Sequence, residues 1–169
     1  MKYDLFDLRV LDAPRDSAFD SLAWLSTEVL SVPSTLLSVL DLPRGRQHVR
    51  AQVGLTCVAA NEPDLPLRHS LAHRVCALNQ VVAIDDTAQD PEAANSPVIV
   101  NSGGKAYIGA PVHGPDHRPL GALEAIAPKP REWTPVDQDK LAALASYASQ
   151  TILLRASLET IKIMNRSQQ

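Results

Sequence analysis

Three side chains able to hold a metal fall at helical spacing in one short stretch. His69, His73 and Cys76 lie at 0, 4 and 7, which on a continuous helix puts them on one face, with Cys57 as a conceivable fourth ligand for tetrahedral zinc. Ser70 gives a competing signal, because it stands where a helix N-cap would, and a cap there leaves His69 outside the helix. We therefore read solvent-facing histidines beside a buried thiol and assign no metal. Glu124 lies in the apolar run PLGALEAI. Burying a carboxylate unpaired is costly, so it is expected either to face water or to meet a cation such as Arg50 or a histidine. No nucleophile elbow, phosphate-cradling glycine loop or zinc-protease signature is present, and Gly103-Gly104 precedes an expected strand rather than a helix. Nothing in these motifs points to catalysis.

The bulk composition narrows the partners. The chain has 169 residues, enough for one domain, with 45% hydrophobic and 21% charged residues, an ordinary globular balance. Sixteen Lys and Arg stand against nineteen Asp and Glu, a net charge of -3, so no positive surplus exists to neutralise phosphates, and nucleic acid is not an expected partner. Acids interrupt the first residues, MKYDLFDLRVLDAP, which therefore lack the apolar core of a secretory signal, and no run approaches the length of a membrane span. A cytoplasmic chain with no membrane association is expected, where Cys57 and Cys76 are more naturally small buried hydrophobes than a disulfide.

The elements that position these residues follow from periodicity. Ser17 and Asp20 have capping-box spacing, and Phe19, Leu22, Ala23, Val29 and Leu30 form one face of a helix over 17–31, which Pro33 ends. TLLSVL, residues 35–40, reads as a central strand, and Val49, Ala51 and Val53 alternate as its half-buried hairpin partner. Residues 54–69 read as a surface loop. Leu71, Val75 and Leu78 mark a short helix capped by Ser70 and ending near Asn79. Residues 81–85 read as a second central strand, and DTAQDPEAANSPVIVNSGG as a polar excursion with a helical turn near 97–101. Residues 107–112 and 120–126 make a hairpin, and a helix runs from about Pro135 to Met164. The sum is an α+β chain with a central, largely antiparallel sheet of about six strands and helices packed on it.

The terminal helix carries two apolar faces. Leu141, Ala145, Ala148 and Ile152 suit a stripe lying on the sheet. Leu144, Tyr147, Thr151, Leu154, Leu158 and Ile161 follow 3, 4, 3, 4, 3 spacing, that of a coiled-coil seam, and predict a homodimer interface.

In order and spacing, the pieces LDAPRDSAFDSLAWLSTEVLSVPSTLLSVLD, RGRQHVRAQVGL, LPLRHSLAHRV, VVAIDDTAQDP, NSPVIV, AYIGAPV, PLGALEAI and PREWTPVDQDKLAALA together resemble a GAF domain of bacterial signalling proteins, over about residues 11–149. There are departures from that family's pattern. Ser70-Leu71-Ala72 stands where one branch reads Ser, aromatic, Cys, and Glu124 and Ala127 stand where it carries Cys and Asp.

The resemblance implies a cavity between the sheet and the helices on one side, binding a small molecule, and a signal passed through the carboxyl-terminal helix to an output domain or signalling partner. It places residues 1–155 in a single sensory domain and 156–169 in a helical extension and tail. The excursion from Asp85 to Gly104 borders such a cavity, so Asp85, Asp86, Asn95 and Ser96 are taken as ligand-binding candidates, with Tyr107, His73 and Glu124. Asp and Asn there equally suit turn capping. No cofactor is assigned: a bilin would attach at a Cys next to a His, which is missing, and a haem would need an axial ligand such as His73 or His113. A cyclic nucleotide would need phosphate donors, yet residues 92–102 hold no Arg or Lys. The alternatives are a GAF-fold reductase of free methionine sulfoxide, needing reactive thiolates at Cys57 and Cys76, and a ligand-free dimerisation module.

Overall fold

The computed structural model describes residues 16–56 and 64–166. Cys57, the middle of the expected 54–69 loop (57–63) and the ends of the chain lie outside the described residues. Helix α1 spans Ser17–Leu30, strand β1 Ser34–Asp41, β2 Arg46–Val53, β3 Asp64–Pro66 and α2 Leu71–Leu78. Strand β4 spans Val82–Ile84, followed by a 3-10 turn at Thr87–Gln89, α3 at Pro91–Ala94 and α4 at Pro97–Ser102. Strands β5 (Ala106–His113) and β6 (Pro119–Ala127) lead into the long α5, Pro135–Arg166.

The six strands form one antiparallel sheet in the order β3-β2-β1-β6-β5-β4. Helices cover both faces, and the period-2 alternation of the strands sorts their side chains between two cores. Leu37 and Val39 of β1, Ile108, Ala110 and Val112 of β5, and Leu123 and Ala125 of β6 pack with α1 and α5. Leu36 and Leu40, Tyr107, Ala122 and Ile126 point the other way, toward α2, α4 and β4. Because β1 is buried on both faces, it reads in sequence as a continuous apolar run rather than an alternating one.

The structure corrects several expected boundaries. Asp16 rather than Ser17 caps α1: its carboxylate accepts from the Ala18 N–H and also pairs with Arg155 of α5. Ser31 closes α1 in the left-handed region at φ 53° and donates its N–H to the Glu28 carbonyl. Segment 81–85 is not a central strand. Its middle three residues form β4 at the sheet edge, paired with β5 alone. That edge is blunted by the segment before α5, because Trp133 donates its indole N–H to the Ile84 carbonyl and the Arg131 N–H reaches Asp85. Part of the loop read at 54–69 is strand β3, which completes the opposite edge. Leu78, expected on the buried face of α2, is exposed, whereas Ala72 joins Leu71 and Val75 in the core.

Helix α5 lies antiparallel to α1. Arg155 meets Asp16 and stacks over Phe19 at the start of α1, while Arg131, just before α5, donates to the Leu30 carbonyl at its end. Leu141, Ala145, Ala148 and Ile152 are buried as their stripe predicts, and contact with α1 extends the core to Ala156, one turn beyond the expected limit. Leu144 is 7% exposed and belongs to this core, so it is withdrawn from the expected dimer stripe.

Trp133→Ala would open a cavity in the core that its ring shares with α1 and α5 and leave the Ile84 carbonyl without its indole donor. A loss of about 3–5 kcal/mol is expected, read as a lower urea midpoint with an unchanged slope.

Candidate functional site

The feature that stands out in the sheet is a carboxylate in its middle. Glu124 sits on β6 between Leu36 of β1 and Gly109 of β5, facing α2, and is 3% exposed. The sequence led us to expect exposure to solvent or a pairing with Arg50 or a histidine, but Glu124 is shut off from bulk solvent and its described partners include neither. Neutral donors surround it instead. The Tyr107 hydroxyl donates to Oε1 at 2.8 Å, and the Ser38 hydroxyl donates to Oε2 at 3.1 Å, with the Gln47 amide at 3.4 Å. Arg50 is the residue passed over where the β1–β2 register slips, so the bulge takes it out of line with Glu124.

These contacts extend into a one-way relay. The His73 N–H, in the first turn of α2, donates to the Ser70 hydroxyl, which donates to the side-chain amide oxygen (Oε1) of Gln47 at 2.5 Å. The Gln47 amide N–H then donates to Ser38 at 2.9 Å, and Ser38 to Glu124. Every donor points toward the carboxylate, so each bond polarises the next in the same sense.

Local structure explains how these side chains come together. Tyr107, Gly109, Glu124, Ser38 and Gln47 occupy inward positions of four adjacent strands on one face. Gly109 is required there, since a Cβ would overlap the Tyr107 hydroxyl and Val75. Ser70 reaches the relay because it is the N-cap of α2, as its sequence position indicated.

Burial pushes the Glu124 carboxyl up to about 7, although the Tyr107 and Ser38 hydrogen bonds pull the other way. Burial and then the neighbouring Glu124 raise the Tyr107 hydroxyl well above its ordinary value. For the same two reasons the Cys76 thiol is pushed up to about 12. Its S–H donates to the Gly121 carbonyl at 3.1 Å.

The space above Glu124 is nearly full. A cavity of about 10 Å³ remains, bounded by Gln47, Ser70, Tyr107 and Glu124 on the polar side and by Leu71, Ile99 and Ile126 among the apolar side chains. That is room for about one water. Ser96 and His69 also line it. Ser96 is buried at the N-cap of α4 but makes no side-chain capping bond to that helix. His69 sits before α2 with φ 62°.

Of the seven ligand-binding candidates, Tyr107, Glu124 and Ser96 share this cavity. Asp85, Asp86 and Asn95 are placed in turns: Asp85 accepts from the Trp133 N–H, Asp86 caps the 3-10 turn through Ala88, and Asn95 donates to the Pro91 carbonyl. His73 is exposed on α2 and borders a separate open groove of about 440 Å³ with Cys76, Leu42 and the β5–β6 turn. His113 borders a third groove against α5. Among the described residues no three His, Cys, Asp or Glu side chains come together so as to hold a metal ion. Sequence reasoning missed Ser38 and Gln47 and took Ser70 for a cap alone. The available signal was a serine inside the apolar run TLLSVL.

The elevated Glu124 pKa fixes a sign. The buried group favours its proton in the folded chain more than in the unfolded one, so its contribution to stability is complete below about 4.5 and is lost as pH rises through about 7. Unfolding free energy is therefore expected to fall across that interval, and Glu124→Gln to flatten the fall; an unaltered slope in the variant would contradict the assignment. Tyr107→Phe removes one donor from the buried carboxylate. It should cost about 1–3 kcal/mol and carry the pH-dependent loss to higher pH.

Comparison with known proteins places this architecture. Many solved structures share the fold. One is the blue-light absorbing form of the Thermosynechococcus elongatus PixJ GAF domain, at 19% identity and TM-score 0.75 over 99% of each chain. The GAF domain of a Coxiella burnetii phosphoenolpyruvate-protein phosphotransferase matches at 16% identity and TM-score 0.73, over 92% of this chain and 96% of that one. The free methionine-R-sulfoxide reductase of Neisseria meningitidis, solved with its substrate, matches at 16% identity and TM-score 0.67, over 90% and 86%. No functionally curated protein is significantly similar in sequence. The sequence model of the GAF domain matches residues 9–152, most of the chain and every strand of the sheet, and the chain belongs to the GAF domain family.

Proposed function

We propose that this chain is a non-enzymatic regulatory module in which the cavity over Glu124 takes a small molecule and α5 carries the response to a second copy or an output partner. The observation that supports this reading most is the exposed apolar stripe on α5. Tyr147, Leu154, Leu158 and Ile161 remain exposed, Leu154 at 62% and Leu158 at 48%, on a helix whose opposite stripe is held in the core. From Ser157 the helix continues ten residues further without a buried side chain. A helical end of that length is marginal alone and gains stability from a partner. Residues 1–155 then act as the sensory unit, and 156–169 as its extension.

Strand β5 offers a physical route between the two sites. Tyr107 faces Glu124 on one side of the sheet, while Ile108, Ala110 and Val112 pack against the α1 and α5 core on the other. A ligand that moves Tyr107 acts on the strand that α5 rests upon, and it shifts α5 only insofar as it binds one arrangement better.

The chemistry of Cys76 favours a non-enzymatic reading. A thiol with a pKa of about 12 supplies almost no thiolate near neutral pH, and thiolate is the form a sulfoxide reductase needs. The small volume over Glu124 favours a second reading, a module that dimerises without a ligand.

Replacing Leu154 and Leu158 together with Asp is expected to give a monomer in sedimentation velocity while changing stability by no more than about 0.5 kcal/mol per site; an unchanged association state would remove the dimer from the proposal. Purified wild-type protein supplied with a dithiol is expected to leave free methionine sulfoxide unreduced. Turnover that disappears in Cys76→Ser would establish the reductase instead.

A further inference from the structure

Glu124 also constrains what can occupy the cavity. Among the described residues that line it there is no Lys or Arg, and the one formal charge is the buried carboxylate. Its partners, Tyr107, Ser38 and Gln47, are all neutral. They satisfy its hydrogen bonds but leave its charge uncompensated in a dry site, where a cation interacts far more strongly than in water. An entering phosphate or carboxylate meets the opposite situation, repelled by Glu124 with no guanidinium or ammonium to receive it. The remaining walls, Leu71, Ile99 and Ile126 among them, are apolar. Resting on the reading that this cavity takes a ligand, we infer that the ligand is a small organic cation, a primary ammonium or guanidinium on an apolar body, whose charge Glu124 receives.

Room for it must come from the side of the cavity that the sheet does not form. Helix α4 covers that side through Ser96 and Ile99, and both α3 and α4 are held by buried apolar side chains, Ala93 and Ile99, together with a set of polar ties. Arg74 of α2 pairs with Asp90 at 2.7 Å and Glu92 at 3.4 Å at the start of α3, and Thr87 donates to the Gly104 carbonyl beyond α4. Gly103, the C-cap of α4 at φ 70°, has no atom near the place a Cβ would take. Ile99 and Ser96 of α4 both line the cavity. Outward movement of α4 would draw Ile99 out of its core packing and enlarge the space over Glu124.

Among the described residues, the titratable groups that reach Glu124 are Tyr107 from β5 and Cys76 from α2; His69 lines the same cavity before α2, while Arg74 of α2 acts on Tyr107 and is engaged by Asp90 and Glu92 of α3. β1 and β2 offer the neutral Ser38 and Gln47, and α4 has no titratable residue.

Butylammonium and butylguanidinium, with butanol and butyrate as neutral and anionic counterparts of the same body, test the inference by methyl NMR of Ile99 and Ile126 in the full chain. The two cations should shift both methyls saturably, and the counterparts at equal concentration should not. Glu124→Gln should weaken cation binding by about tenfold or more. Because that variant alters a buried network, the wild type supplies an independent arm: binding should weaken as Glu124 gains its proton, and the same pH dependence should persist in His69→Asn. Butanol or butyrate binding as tightly as the cations, or cation binding unchanged in Glu124→Gln and across the pH range, overturns the cationic class and leaves the cavity reading in place. If none of the four probes shifts either methyl, both the class and the cavity reading fall.

Discussion

The structure depends on keeping one carboxylate dry in the middle of a sheet. A carboxylate taken out of water is tolerated when its oxygens accept several hydrogen bonds, and Glu124 receives them from three other strands. This requirement sets the surroundings. Tyr107 must be fully buried on β5, Gly109 must lack a side chain so that the tyrosine can lie across it, and Ser38 must stand among the Leu and Val residues of the middle of β1. Gln47 serves as both acceptor and donor, which lets the relay turn the corner from α2 to β1 with its direction kept.

A network of this kind ties the two layers of the domain together. Its acceptor end lies on β6, its first donor is in the opening turn of α2, and its tyrosine is on the strand that packs against α5 through its other face. Glu124 is thereby joined by hydrogen bonds to the helix layer above and to the strand beneath α5. The α3–α4 segment joins the network through no hydrogen bond among those described and is fixed by Ala93 and Ile99 in the core, the Arg74 ion pairs and the Thr87 contact. Rigid strands beneath a separately anchored cover are a suitable arrangement for admitting a ligand while the core stays intact.

The departures of this chain from the pattern it resembles fall in this same region. Ala72 stands where a cysteine was expected, is buried, and packs in the core beneath α2. Glu124 stands where the resembled pattern carries a cysteine, and there hydroxyl and amide donors surround it. The likeness to photoreceptor, phosphotransferase and reductase structures is below 25% identity and extends to the fold. The chemistry of this cavity has to be read from its own residues.

Much of the architecture was legible in the chain alone. The apolar runs at 35–40, 107–112 and 120–126, the alternation at Val49, Ala51 and Val53, the Ser70 cap and the Leu141 to Ile152 stripe each follow from a local period or a local hydrogen bond, which need no knowledge of distant residues. What remained hidden depended on partners far apart in sequence. Segment 81–85 had the composition of a central strand, and only the indole of Trp133 and the pairing with β5 made it an edge. Leu144 fitted a seam by spacing until the antiparallel contact of α5 with α1 widened the buried face. Glu124 posed the sharpest case, since its sequence context says that burial is costly but is silent on whether hydroxyls from other strands will share its face. Local periodicity determined the elements, and strand register decided which polar atoms met, because hydrogen-bond geometry is satisfied across the sheet rather than along the chain.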